Sequence, residues 1–202
     1  MDAEAAFASQ THDVARTFAT LVDMIGDRGL QDRAAVEELE LFRDKRLPDV
    51  LSDARPVFHF DFARSNLRVI YNMHAKFRVQ DVKKLLDHDG WVVMIVRERP
   101  GTLALKGIGV GARAVEVFDV RELMFNCTRH ILVPKHEPIR DDASIEDVMK
   151  QTRVRSKYQL PLILVSDPIA RYLALRPGEL VRITRASPSA GESVTYRCCM
   201  RA

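Results

Sequence analysis

Leu160-Pro161-Leu162-Ile163-Leu164-Val165-Ser166-Asp167-Pro168-Ile169-Ala170-Arg171-Tyr172 runs almost directly into Leu175-Arg176-Pro177-Gly178-Glu179-Leu180-Val181-Arg182-Ile183, and the fold turns on this stretch. An apolar run opens it. Asp167 has the short acidic side chain that caps a helix, and Pro168 follows where the first helical N–H has no partner to lose. That predicts a short helix from Pro168 to Leu173. Arg176-Pro177-Gly178 then turns the chain into a strand over Glu179–Arg185. Beyond it, Arg185-Ala186-Ser187-Pro188-Ser189-Ala190-Gly191 predicts a hairpin, with Pro188 and Gly191 in the turn and Leu180–Ile183 and Val194–Arg197 as its strands. Upstream stands Ile131-Leu132-Val133-Pro134-Lys135-His136-Glu137. On residue types alone, all of this is the punctuation of a small basic α/β domain.

In order and spacing, these blocks and the closing Ser189-Ala190-Gly191-Glu192-Ser193-Val194-Thr195-Tyr196-Arg197 resemble a known domain. It is the C-terminal assembly domain of the fifth subunit shared by eukaryotic nuclear RNA polymerases, which archaea keep as a free-standing polypeptide. Four blocks lie in register across about 70 residues. The resemblance implies an α/β (α+β) protein of two domains. Residues 1–129 would form a jaw domain of restriction-endonuclease-like fold, with helices on a mixed sheet. Residues 130–202 would form the assembly domain, a small α/β unit that also has a mixed sheet. In the family the region of Asp167, Pro168, Arg171 and Tyr172 meets the largest polymerase subunit. Pro134, Lys135, His136, Arg185, Gly191, Tyr196 and Arg197 complete the expected subunit interface. Pro188 and Ser189 stand where the family has an acidic residue and a threonine, so the hairpin tip departs from the pattern.

Composition fits this reading. Of 202 residues, 47% are hydrophobic and 29% charged, an ordinary balance for a folded soluble chain. Met1-Asp2-Ala3-Glu4 is acidic with no apolar segment behind it, so no secretory signal is expected. The longest apolar run, Trp91–Val96, is far short of the roughly 20 residues that span a bilayer. Cys127 and the adjacent Cys198-Cys199 make neither a disulfide framework nor a metal knuckle, and read as reduced thiols. The net charge of +3 is uneven: residues 130–202 carry twelve Lys/Arg against eight Asp/Glu, and residues 1–129 carry nineteen against twenty. A dedicated nucleic-acid binder is usually far more basic over its binding domain.

Toward the N-terminus, residues 1–11 read as a frayed end. Val14, Phe18, Leu21, Val22 and Ile25 recur at helical spacing until Gly29. Asp27-Arg28-Gly29 is similar to the family's helix-ending triplet, and equally describes a charged last turn with a glycine after it. A second helix is expected over Ala34–Arg46, closed by Pro48. Phe58, Phe60 and Phe62 alternate with His59 and Asp61 as a half-buried strand. Leu67–Met73 is a second strand, Val79–Leu86 a helix ended by Gly90, and Trp91–Val96 a central strand apolar on both faces. Leu103–Ile108 is expected to be the next strand.

No catalytic, cofactor or metal residue is expected. His136 has no second ligand at a metal spacing, and Lys135 beside it disfavours a cation; the other histidines are scattered. A nuclease of the implied fold needs an acidic-x-Lys triplet on a strand. The candidate, Asp81-Val82-Lys83, falls on an expected helix. The family's DNA-facing loop falls, by register, near Gly109, Gly111 and Arg113, where the glycines permit close backbone approach and Arg113 offers one phosphate contact. Arg185 and Arg197 would suit either ion pairing or a partner.

The resemblance therefore implies a non-catalytic, nuclear polymerase subunit, nucleolar if it serves polymerase I. Its partners would be the largest subunit, neighbouring small shared subunits, and downstream duplex DNA weakly and only within the complex. Two alternatives are a paralogue dedicated to polymerase I or to a viral polymerase, and a stand-alone nuclease-like DNA-binding protein.

Overall fold

The computed structural model describes residues 2–29, 33–52, 55–108, 115–187 and 191–201. The chain divides into two units, Met1–Phe125 and Asn126–Ala202, and each builds its own four-stranded mixed sheet.

In the first unit, helices α1 (Asp2–Arg28), α2 (Arg33–Lys45) and α3 (Leu47–Leu51) precede strands β1 (Val57–Phe62) and β2 (Leu67–Asn72). Then α4 (Val79–Lys83), β3 (Trp91–Val96), α5 (Thr102–Gly107), β4 (Val115–Asp119) and α6 (Val120–Leu123) follow. The sheet order is β1-β2-β3-β4, with β1 antiparallel to β2 and the other pairs parallel. Helices lie on both of its faces, which is why Val92–Val96 are buried throughout. Val82 and Leu86, with Leu105 from α5, pack on the face that carries Ile70, Val92, Met94, Val96, Val115 and Val117. On the opposite face Phe18 of α1 and Phe42 of α2 meet the rings of Phe60 and Phe62 at 4.6–6.2 Å. Gly90 precedes β3 where a Cβ would collide with the Asn66 carbonyl that accepts from Trp91 N.

α2 ends at Lys45, ahead of Pro48 as expected, and Pro48 itself sits in the first turn of α3, where its missing N–H costs nothing. Two expectations need correction. The first helix begins at Asp2, well ahead of the apolar periodicity, where a frayed end is expected over residues 1–11. Leu103–Ile108 is not a strand: it forms most of α5, the crossover that the parallel pair β3–β4 requires.

In the second unit, a 3₁₀ turn (Cys127–Arg129) leads to β5 (Lys135–Ile139), α7 (Asp142–Thr152), a second 3₁₀ turn (Lys157–Gln159), β6 (Leu162–Leu164), α8 (Pro168–Tyr172), β7 (Leu180–Ser187) and β8 (Gly191–Met200). The order is β5-β7-β8-β6, with β6 parallel to β8 and the others antiparallel. Asp141 caps α7 by accepting from Ser144 N at 2.8 Å, and the helix ends at left-handed Arg153. Val148 and Ile145 of α7 cover Leu180 and Cys198 on one face; Val181, Ile183 and Cys199 are buried on the other. β7 and β8 outrun their neighbours. β5 pairs no further than Thr184, and β6 pairs only with Cys198–Met200. Arg185–Ser187 and Gly191–Ser193 therefore pair with each other alone, as a two-stranded ribbon. Gly191 begins β8 at φ +73.

Candidate subunit interface

Asp167 does what its position predicts. Its carboxylate accepts from Ile169 N at 2.8 Å and Ala170 N at 3.4 Å, and Pro168 takes the first turn of α8. Alternation around this short helix sends Ile169, Ala170 and Tyr172 inward and leaves Pro168 exposed and Arg171 half-buried. Tyr172 is 3% exposed. Its ring packs inside this unit, so whatever it contributes to the expected contact it contributes by framing α8.

The remaining expected residues divide between the two faces of the sheet. Strand register puts His136, Arg185 and Arg197 on the face of Val181, Ile183 and Cys199. The segment after α8 approaches the same face: the Leu175 carbonyl lies 3.8 Å from Cys199 Sγ, and burial above all, with Asp167 and Glu179 adding to it, pushes that thiol's pKa up. Arg185 and Arg197 are both exposed. His136 Nδ1 lies 2.7 Å from the Pro134 carbonyl, which only accepts, so the ring proton sits on Nδ1. Lys135 and Tyr196 point to the other face. Lys135 pairs with Glu137 at 2.6 Å, and the half-buried Tyr196 donates to Gln151 Oε1 at 3.4 Å. Structure thus gathers Asp167, Pro168, Arg171, His136, Arg185 and Arg197 toward one side of the sheet, and separates Lys135 and Tyr196 from them.

Gly109, Gly111 and Arg113 lie outside the described residues, as do Pro188 and Ser189 of the hairpin tip. Asp81-Val82-Lys83 runs through α4 with Val82 fully buried, so it lacks the strand setting of a nuclease triplet. Among the described residues no group of three or more His, Cys, Asp or Glu could hold a metal ion, and no helix is long and apolar enough to cross a membrane.

Sequence reasoning missed two features. Arg28 is more than a charged last turn. Its guanidinium, 0% exposed, bonds both oxygens of Glu116 at 3.1 and 2.8 Å and lies 4.8 Å over the Trp91 ring, while Trp91 Nε1 donates to the same carboxylate at 3.0 Å. The signal was an arginine where a helix end only needs any cation. The second feature is the exposure of Leu162 and Leu164 on either side of buried Ile163, visible in sequence only as a period of two over three residues.

The family model described as RNA polymerase Rpb5, C-terminal domain, matches residues 125–199. An Arabidopsis thaliana protein named DNA-directed RNA polymerases IV and V subunit 5B is 31% identical over 107 residues, 53% of this chain and 48% of that protein. A Dictyostelium discoideum protein named for subunit rpabc1 of RNA polymerases I, II and III is 41% identical over 86 residues, 43% of each. The match thus spans about half the length of those two relatives. With the Caenorhabditis elegans protein named RPABC1 it extends to 93% of this chain and 96% of the relative, at 30% identity.

Proposed function

This chain belongs to the family of the fifth subunit of DNA-directed RNA polymerases, and from that membership we propose that it serves as a non-catalytic structural subunit of such a polymerase. The C-terminal unit anchors the chain to the largest subunit, and the N-terminal unit forms part of the lower jaw near downstream DNA. Nucleotide addition belongs to other subunits, and the working location is the nucleus. The observation that carries this reading is the match along nearly the whole of the nematode relative, which covers both units and not the assembly domain alone. The α8 block supports the anchoring role: Asp167 fixes the helix from within, and Pro168 and Arg171 remain outside it. Relatives named both for polymerases I, II and III and for IV and V favour a class-dedicated paralogue as the second reading.

Affinity purification of the tagged chain tests the reading, with the largest polymerase subunit as the expected companion. Buried arginine anchors are worth about 2 kcal/mol or more at such interfaces. Arg171→Ala with Pro168→Ala should therefore release that subunit while circular dichroism stays unchanged. Recovery of the large subunit undiminished by both substitutions overturns the anchoring role. Within the assembled enzyme, Arg113→Ala should lower the salt slope of DNA affinity by about one unit without altering sequence preference. The purified chain should not cleave DNA in the presence of Mg²⁺. Cleavage abolished by Asp81→Ala would restore the nuclease alternative.

A further inference from the structure

β6 is an edge strand with nothing described beyond it. Cys198 N donates to the Pro161 carbonyl and Val165 N to that of Met200, so the odd-numbered main-chain groups of β6 face β8. Leu162 therefore turns its N–H and carbonyl outward, and Leu164 its N–H; the Leu164 carbonyl accepts from Asp167 N at 3.0 Å. Side chains tell the same story. Strand register aligns Ile139, Leu180, Cys198 and Leu162 in one row across the sheet. Leu180 and Cys198 are fully buried beneath α7, but the row continues uncovered to Leu162 at 51% exposure, with Leu164 at 44% and Tyr158 at 57% nearby in the chain.

Natural sheets blunt an open edge with charge, a bulge or proline, because an apolar one templates pairing with another chain. Here proline stands at Pro161, one residue before the open groups, and both outward side chains are leucine. The approach to the strand, Arg153-Val154-Arg155-Ser156-Lys157, is basic with no acid in it. None of the three cations has a carboxylate within ion-pair distance among the described residues. Lys157 lies close enough to Cys198 to draw that thiol's pKa down against the larger upward push of burial.

We propose that the free edge of β6 receives an added strand from a protein partner. The strand would be a short extended segment, apolar at alternate positions so as to cover Leu162 and Leu164, with carboxylates beside that apolar stretch, at the end that meets Arg153, Arg155 and Lys157. Main-chain bonds to Leu162 and Leu164 supply the pairing, and the alternating side chains and charge supply the choice of segment. The site lies on the strand that leads into α8, yet it does not depend on the polymerase reading.

The test uses the purified full chain and two synthetic ten-residue probes, one alternating valine with glutamate and one alternating valine with lysine. The acidic probe should bind about tenfold more tightly at low salt, and the preference should shrink as salt rises. Amide exchange at Leu162 and Leu164 should slow on binding. Leu162→Lys with Leu164→Lys should abolish both effects without changing the melting temperature. Equal binding of the two probes, no binding at millimolar concentration, or binding that survives the double substitution each overturns the proposal. So does a dimer in sedimentation that the same substitutions dissolve, since the occupant would then be a second copy. None of these outcomes bears on recovery of the polymerase large subunit, which is decided at α8.

Discussion

Arg28 is a cation sealed from water, and its removal would leave the Glu116 carboxylate facing a sheet surface with the guanidinium gone. Arg28→Ala should cost about 3 kcal/mol, as breaking a buried pair typically does. Arg28→Lys should recover less than half of that, because an ammonium cannot bond both oxygens and stack on the indole at once. Denaturant midpoints measure both, and the single tryptophan, Trp91, reports the loss through its emission. A variant as stable as the parent would show the cluster to be incidental. Asp119 offers a pH test. Burial pushes its carboxyl up, but the hydrogen bonds from Arg121 outweigh that and hold it below the usual range. A folded-state pKa below the unfolded value of about 3.9 stabilises above that pH, and the gain fades as pH falls through the folded value. Asp119→Asn should therefore be less stable than the parent near neutrality, and the gap should close only as pH falls below the ordinary carboxylate range. A gap that stays constant down the acid limb would refute this. Tyr172 belongs at this scale too: Tyr172→Ala should cost about 3 kcal/mol in folding, as large-to-small changes in a core do. It is therefore no clean probe of docking.

Among the elements, α5 separates what periodicity can say from what topology decides. Leu103 and Leu105 alternate as a strand would, yet Ala104, Leu105 and Lys106 are equally good helix formers. Only the parallel pairing of β3 with β4 settles the matter, and that pairing is long-range information. The helix predicts an asymmetry. Leu103 is 85% exposed, so Leu103→Glu should shift stability by no more than about 0.5 kcal/mol. Leu105 packs on the core, and Leu105→Glu should cost several times as much in a urea titration. Comparable losses at both would restore the strand. By contrast β1, β2 and β3, the α8 cap and the β7–β8 strands were legible, because each is specified by neighbours within a few residues: alternation at Phe58–Phe62, the Asp167-Pro168 pair, the unbroken apolar run of Trp91–Val96. At the candidate interface the block was legible but its orientation was not. Which of Arg171 and Tyr172 faces inward depends on how a five-residue helix sits on its sheet, and no local pattern records that. Arg28 escaped because its partners lie 63 and 88 positions away.

Across the whole molecule, two units with separate sheets imply two unfolding events and not one. The chain carries a probe for each. Trp91 lies in the first unit, and the fully buried Cys198 and Cys199 face opposite sides of the second unit's sheet. With half-buried Cys127 replaced by serine, thiol labelling of the pair and tryptophan emission should give different denaturant midpoints. Coincident curves would show the units to unfold as one. The ribbon beyond Thr184 has a further consequence. A lone two-stranded hairpin is marginal in water, and neither β5 nor β6 reaches Arg185–Ser187 or Gly191–Ser193. Whatever holds the sheet together stops short of that tip. A fluorescent tag or a small guest domain spliced between Ser187 and Gly191 should therefore leave folding intact, which makes this ribbon a graft point clear of the sheet's core.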